Sequence, residues 1–415
     1  MNLLAAAAGA ALAVYLLASI AGRGLFEYWG ADFGAFRSAA EVARDHGYAG
    51  VYDLGLLEPP ERRLVEAYAS DAVQADFEVI PVPYFPLFLL PFRLTLFVDP
   101  IPGWLFWAAL NALALLAYSK RLGKAFNARP AISALVLLVS LPAFLTLAFG
   151  QVNVWLLIGF GESLLALQRG REIAAGTWLG LLLLKPQILL LIVLGLVVGR
   201  RWRVLAGLSL ASAFVVLGSL WLAGADGLAA LASLWLSYAG DMPTTYPESM
   251  MNWRGLMVNL QPIIGGPLGV AAMAVGMMMT AVAGVWLWRR TDTRRDHQQV
   301  AAGSYAASSA VAWHSHVHMA LPLVVLIDNG SAWKDTRARW LLWLAVVPAL
   351  LFAVVGLSVN AGAAHRLAGS LTFLMNLTVL GACIRAVRRR SGVERVDGPG
   401  PARDDVPDAD TGSAR

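Results

Sequence analysis

The sequence predicts an all-α, polytopic membrane protein, and three observations carry that expectation. First, 58% of its 415 residues are hydrophobic and 14% charged, against about 45–50% and about 25% in soluble domains. Second, the apolar residues fall in blocks of about 18–25, the helix length that crosses a hydrocarbon core of about 30 Å. Third, Lys and Arg stand in short clusters between those blocks, as they do in cytoplasmic loops. A soluble chain of this length would form roughly two or three domains, each needing a polar surface that the composition does not supply. The net charge of +5 and pI near 9.5 do not indicate nucleic acid, because no basic face is interleaved with aromatics. The single cysteine, Cys383, excludes an intrachain disulfide and a cysteine-based metal cluster. Fifteen tryptophans suit the belts at membrane interfaces.

The first block, Asn2 to Ala21, lacks a basic leading region and is read as a retained helix rather than a cleaved signal. Residues 22–78 follow as the longest polar stretch before the tail, with eleven Asp or Glu against five Arg. So acidic a segment fits the extracytoplasmic side. Within it, Ala31 to Ala40 opens an amphipathic helix with Asp32 as N-cap, Phe33, Phe36 and Ala40 on one face, and Gly47 as stop. A second interfacial helix is expected from Pro59-Pro60 to about Ser70, since proline suits a first turn. Pro81 to Val98 is apolar but holds four prolines and Arg93, which predicts short or re-entrant helices.

Later blocks cover approximately 103–119, 130–149, 152–168, 173–199, 203–223, 262–288, 300–327, 340–357 and 367–386, for about ten to thirteen spans in all. A second outer loop runs over 224–261. Together, 1–390 form one transmembrane domain and 391–415 a disordered cytoplasmic tail rich in Gly, Pro, Asp and Arg. The basic clusters at Lys120–Arg129, Arg169/Arg171, Arg200–Arg203, Arg289–Arg295, Lys334–Arg339 and Arg388–Arg390 mark one side of the membrane. Three intervals between them must therefore go out and return. Their apices fall at Gly150-Gln151-Val152-Asn153, at Lys185-Pro186-Gln187 and at Trp313-His314-Ser315-His316-Val317-His318. Irregular backbone and ionisable groups at membrane depth are tolerated where they line a cavity, so the apices and the first loop point to one outward-facing polar pocket.

Asp32 either caps its helix or acts as a general base at the rim of that pocket. Lys185, a lysine within an apolar interval, costs several kcal/mol unless paired or hydrated; it either snorkels to a structural partner or meets an anionic phosphate. Glu162 is a comparable outlier that a basic loop residue could neutralise. His314, His316 and His318 are half of the six histidines. On a strand all three would align, on a helix only His314 and His318; contact with a phosphate or sugar hydroxyl is preferred to a metal centre, because no carboxylates converge on them. Gln151 and Asn153 suit either sugar hydroxyls or the holding of a turn, and Arg37 and Asn252 are counted as supporting residues. No Walker sequence or dinucleotide glycine fingerprint is present, and neither outer loop holds a D-x-D.

The order of motifs resembles a known family. Gly30-Ala31-Asp32-Phe33-Gly34-Ala35-Phe36 follows the first helix, then Tyr52-Asp53, Pro83-Tyr84-Phe85-Pro86-Leu87, Gly150-Gln151-Val152-Asn153, Lys185-Pro186, Asn252-Trp253-Arg254-Gly255 and a histidine-bearing apex. This series resembles the polyprenyl-phosphate-sugar-dependent glycosyltransferases of the GT-C superfamily, and within it glycosyltransferase family 87, which includes mycobacterial phosphatidylinositol-mannoside mannosyltransferases and an arabinofuranosyltransferase. The chain departs from the family in Trp313-His314-Ser315-His316, where members often show adjacent histidines after the Trp; His316 is taken as the equivalent.

The resemblance implies a GT-C-like bundle in the bacterial plasma membrane, with its active site toward the extracytoplasmic face. The donor would be a polyprenyl-phosphate sugar and the acceptor a lipid or glycan hydroxyl, with membrane lipids around them, no metal and no further cofactor. Asp32 would be the general base of an inverting displacement, with Lys185, Arg254 and His316 at the donor phosphate. A mannosyl group comes first among the hexoses, and arabinofuranosyl transfer is the alternative within the class. A transporter or lipid flippase is the alternative outside it; its mark, an internal repeat between halves, is not evident in the sequence.

Overall fold

The computed structural model describes residues 2–26, 28–74, 77–125, 138–239, 247–290, 297–312, 339–359 and 361–396. Among the described residues there is no strand, only a single bridge between Gly24 and Ala69. The helices are α1 (Asn2–Arg23), α2 (Ala31–Asp45), α3 (Leu54–Tyr68), α4 (Pro100–Ala125), α5 (Leu141–Phe149), α6 (Asn153–Gln168), α7 (Glu172–Leu179), α8 (Leu189–Val198), α9 (Trp202–Ala239), α10 (Trp253–Ile264), α11 (Gly266–Arg290), α12 (His297–Val311), α13 (Arg339–Ser358) and α14 (Ala361–Val396). Five stretches of them are long and apolar enough to cross a membrane: Leu3–Arg23, Pro100–Ala125, Trp202–Ser237, Gly266–Arg289 and Gly362–Arg388. The chain is an all-α polytopic membrane protein.

The packing follows from residue size and spacing. On α1, Ala5, Ala8, Leu12 and Tyr15 are buried, three or four residues apart and hence on one face. That face meets α13, where Gly356 leaves room for the Tyr15 ring. Leu3, Val14 and Leu17 are exposed, as lipid-facing residues should be. Helices α7 and α9 approach until backbones touch. A Cβ on Gly176 would stand 1.8 Å from the Val204 carbonyl oxygen, and one on Gly207 would stand 2.0 Å from that of Ile173. Close approach at small residues is how helices associate where water supplies no driving force. Gly224, at φ 69° and ψ −177°, breaks α9, where the sequence ends a span.

The first loop folds as the amphipathic pattern requires, with corrections at its helix starts. Phe33, Phe36, Ala39, Ala40 and Ala43 are buried on α2, and the chain leaves the helix at Gly47 with φ +79°. The N-cap, however, is Gly30 at φ +76°, and Asp32 lies inside the first turn without a capping bond. Glycine adopts the left-handed conformation at no steric cost, so the cap position moves upstream and leaves the Asp32 carboxylate available. Similarly, α3 starts at Leu54 with the Asp53 side chain accepting from the Gly55 N–H. Pro59 and Pro60 sit inside the helix rather than at its start; a side-chain cap fixes the boundary more strongly than proline's tolerance of a first turn. Glu61 on this helix is buried, and one of its oxygens accepts from the Ile80 N–H at 2.8 Å. Burial pushes its carboxyl up to about 8.

Pro86–Leu89 and Leu90–Phe97 form a helical turn and a 3-10 segment, the short helices that four prolines imply. Most of 224–261 that is described is helix rather than open loop. At the other end α14 continues to Val396, so residues 391–396 of the expected tail are helical.

Candidate active site

The site begins with a turn. Helix α5 ends at Gly150 in the left-handed conformation (φ 79°, ψ 29°), where the Gln151 N–H donates to the Thr146 carbonyl at 2.8 Å. This six-to-one bond closes a helix C-terminus when glycine follows. The Trp107 indole donates to the Gly150 carbonyl at 2.8 Å, and the Gly30 N–H donates to the Ala148 carbonyl at 2.8 Å. The first turn of α2 therefore rests directly on the turn. A Cβ on Gly150 would stand 2.5 Å from the Cβ of Phe33, so only glycine allows this approach. The contact sets Asp32, the neighbour of Phe33, beside Gln151, whose side-chain amide donates to the Asp32 carboxylate.

Lys185 reaches the same place from another element. The apolar interval 172–198 is broken as its proline requires: α7 passes into a 3-10 segment, Lys185 turns to φ −138° and ψ 77°, and a second short 3-10 turn leads into α8. Proline disfavours the helical conformation in the residue before it, and Lys185 leaves it here. The break delivers the ammonium within Coulombic reach of the Asp32 carboxylate. Asp32 is surrounded by protein yet keeps a partly accessible surface. Burial raises its carboxyl to about 6, while Lys185 and the Gln151 bond pull in the opposite direction and hold the rise to that value. A carboxyl with such a pKa is ionised at neutral pH and still basic enough to take a proton in a transition state.

The remaining sequence-selected residues divide by location. Asn153 is fully buried; its amide donates to the Thr146 hydroxyl at 3.2 Å, and its Oδ1 has no protein partner. It braces the turn beneath Gln151. Asn252 caps α10, accepting from the Gly255 N–H at 2.8 Å and donating to the Ala312 carbonyl at 2.7 Å. This bond ties the Asn252-Trp253-Arg254-Gly255 motif to the residue just before Trp313. Arg254 is buried, with Nη1 3.9 Å from Met250 Sδ. Arg37 donates to the Thr95 carbonyl and so fastens α2 to the Leu90–Phe97 segment. Glu162 is held by Arg121 in a two-point ion pair at 2.5 and 2.7 Å, the neutralisation its position asks for. His314, His316 and His318 lie outside the described residues.

The structure adds residues that were not selected from sequence. The Tyr28 hydroxyl is 3.0 Å from Nδ1 of His365, and the His365 ring stacks on Phe149 and meets Tyr28 and Phe352 edge-on. The first turn of α14 thus joins the Phe149–Asn153 turn and the entry to α2. A signal existed: the interval between the basic clusters at 334–339 and 388–390 must also go out and return, and its apex falls at 358–366.

Neither curated proteins nor solved structures yield a match to the chain. Residues 83–314 match glycosyltransferase family 87, a span that covers more than half of the sequence and includes the Gly150–Asn153 turn, Lys185 and the Asn252–Gly255 motif. Asp32 and His365 lie outside the matched span and join the site only through the fold. The chain belongs to glycosyltransferase family 87 and is a membrane glycosyltransferase.

Proposed function

We propose that this enzyme transfers a hexosyl group, mannosyl in our reading, from a polyprenyl-phosphate donor to a hydroxyl of a lipid or glycan acceptor at the extracytoplasmic face of a bacterial plasma membrane. The observation that carries the proposal is the convergence of Asp32, Gln151 and Lys185, from three separate elements, at a break in the membrane helices. In the reaction the acceptor oxygen attacks the anomeric carbon and its proton passes to the Asp32 carboxylate. The bond from that carbon to the phosphate oxygen breaks, its electron pair leaves with polyprenyl phosphate, and the sugar inverts in one displacement. The leaving phosphate gains a negative charge, so fixed cations lower the barrier. Lys185 takes that role, with Arg254 and His316 as the further contributors. Gln151 holds the carboxylate in the orientation its task needs, and Asn153, Asn252, Arg37, His314 and His318 support substrate or site.

Membership of a glycosyltransferase family favours this reading over a transporter or flippase. The test is to incubate the purified protein in nanodiscs with a panel of polyprenyl-phosphate sugars and a lipid-extract acceptor. Consumption of one donor, lost in Asp32→Asn, supports it; consumption of none, or an Asp32→Asn variant as active as the native enzyme, removes it.

A further inference from the structure

His365 stands where two separate parts of the Asp32 site are held together. Its ring meets Tyr28 edge-on at 4.9 Å, Phe352 edge-on at 5.2 Å and Phe149 in a stack at 6.4 Å between centroids. Its Nδ1 is 3.0 Å from the Tyr28 hydroxyl; the phenol donates to one tautomer of the imidazole and accepts from the other. Tyr28 and Phe149 lie on either side of the Asp32–Gln151 pair. The Tyr28 carbonyl accepts from the Ala31 N–H at 3.3 Å, so the Tyr28–Ala31 turn leads directly into Asp32. Phe149 stands two residues before Gln151, and Trp29 stacks on it at 5.5 Å. The hydrogen bond between Gln151 and Asp32 therefore joins two segments that both rest on one imidazole.

Packing alone does not ask for these two side chains. Phenylalanine at both positions would keep the ring contacts and spare the cost of placing polar atoms among aromatics. What the phenol and imidazole add is direction: a hydrogen bond fixes an angle as well as a distance, whereas apolar attraction has no direction. The helix that carries His365 also reaches the other half of the site. His365, Gly369 and Phe373 follow at i, i+4 and i+8 along α14 and share a face, about 12 Å from end to end. A Cβ on Gly369 would stand 2.7 Å from the Ser249 carbonyl oxygen and 3.0 Å from that of Met250, and Phe373 meets the Trp253 ring edge-on at 5.0 Å. Trp253 precedes Arg254, and Nδ2 of Asn259, on the same helix, lies 3.2 Å from the Ser370 hydroxyl. Helix α14 thus touches the turn before Asp32 at one point and the Asn252–Gly255 motif at another.

We propose that His365, acting through Tyr28, is a positioning residue that sets the Asp32 carboxylate in register with the helix carrying Arg254. The inference rests on the glycosyl-transfer reading above. The experiment uses the full chain in nanodiscs and two variants, Tyr28→Phe and His365→Phe, each of which keeps a ring and removes the one bond. Hydrogen exchange read by mass spectrometry comes first. In both variants the peptide covering residues 28–34 should exchange about fivefold faster, while α3 keeps the native rate. In transfer assays kcat should fall about tenfold to hundredfold, with the donor and acceptor KM nearly unchanged. The double variant should match the single ones, because all three lack the same bond. Native exchange in both single variants, a raised KM with kcat unchanged, or a double-variant loss equal to the product of the single losses would overturn the inference. Exchange is read without turnover, which separates the two failures. Faster exchange in a protein that transfers no sugar removes the glycosyl-transfer reading and the inference with it, whereas native exchange and kcat in the variants of an active enzyme remove His365 alone.

Discussion

Replacing Asp32 with asparagine preserves the shape of the side chain and its ability to meet Gln151 but removes the negative charge. The consequences run in opposite directions for stability and for rate. Holding this carboxyl at about 6 rather than 3.8 costs the folded state about 3 kcal/mol at neutral pH. The sign follows from linkage: between those two values the folded chain binds the extra proton, so stability falls as pH rises through the window and the loss is complete above about 6. The asparagine variant lacks that slope. Near pH 7 it should be more stable by up to about 3 kcal/mol, reduced by whatever Lys185 loses when its counter-charge disappears. Loss of a general base should lower kcat by about 10²–10⁴. In the native enzyme, transfer should rise with pH through about 6 and then level, because only the carboxylate can accept the proton. The assay is labelled-sugar transfer in nanodiscs from pH 4.5 to 8, paired with thermal unfolding of both proteins. A variant that turns over within about threefold of native, or a native profile flat across pH 6, would refute the assignment of Asp32 as base.

Four further outcomes follow from the same geometry. Gln151→Leu removes the hydrogen bond that restrains the Asp32 carboxyl, so the acid limb of the pH–rate profile should move upward by about one pH unit; an unmoved limb would show that the bond has no energetic weight. Lys185→Met should move that limb in the same direction and also raise the donor KM, and a variant with native donor dependence would remove Lys185 from the phosphate. Gly150→Ala asks for a left-handed non-glycine residue and sets a Cβ 2.5 Å from Phe33; unfolding should show a loss of about 2–4 kcal/mol together with lost transfer, whereas a native-like melt would mean that α2 can lift away. Glu61, raised from 4.5 to about 8, should make stability decline between those pH values by at most about 5 kcal/mol, and Glu61→Gln should flatten the decline; parallel melting curves for both proteins would contradict its burial.

Much of the fold was legible because a bilayer imposes a one-dimensional rule. Blocks long enough to cross it, basic clusters between them and prolines at the breaks are local features, and they located the five long apolar stretches, the Gly150 turn and the Lys185 break. Helix starts in the first loop were less legible. Gly30 and Asp53 compete for the cap positions with Asp32 and Pro59, and the choice depends on what each backbone docks against. The fourth apex shows a related limit: the charge rule places 358–366 at the same end as the other apices, yet only packing brings His365 to Tyr28 and Phe149.

The sequence alone determined that the chain crosses a membrane and that Gln151, Asn153 and Lys185 lie at breaks in its helices, since hydropathy and backbone sterics act over a few residues. Tertiary structure alone decided that Asp32, Gln151 and Lys185 meet. Their separations along the chain carry no information about distance in space, and the meeting depends on a Phe33 side chain packed onto a glycine with no Cβ. The energetics of the site were decided there too, because the carboxyl reaches about 6 only through the burial and the partners that the fold supplies.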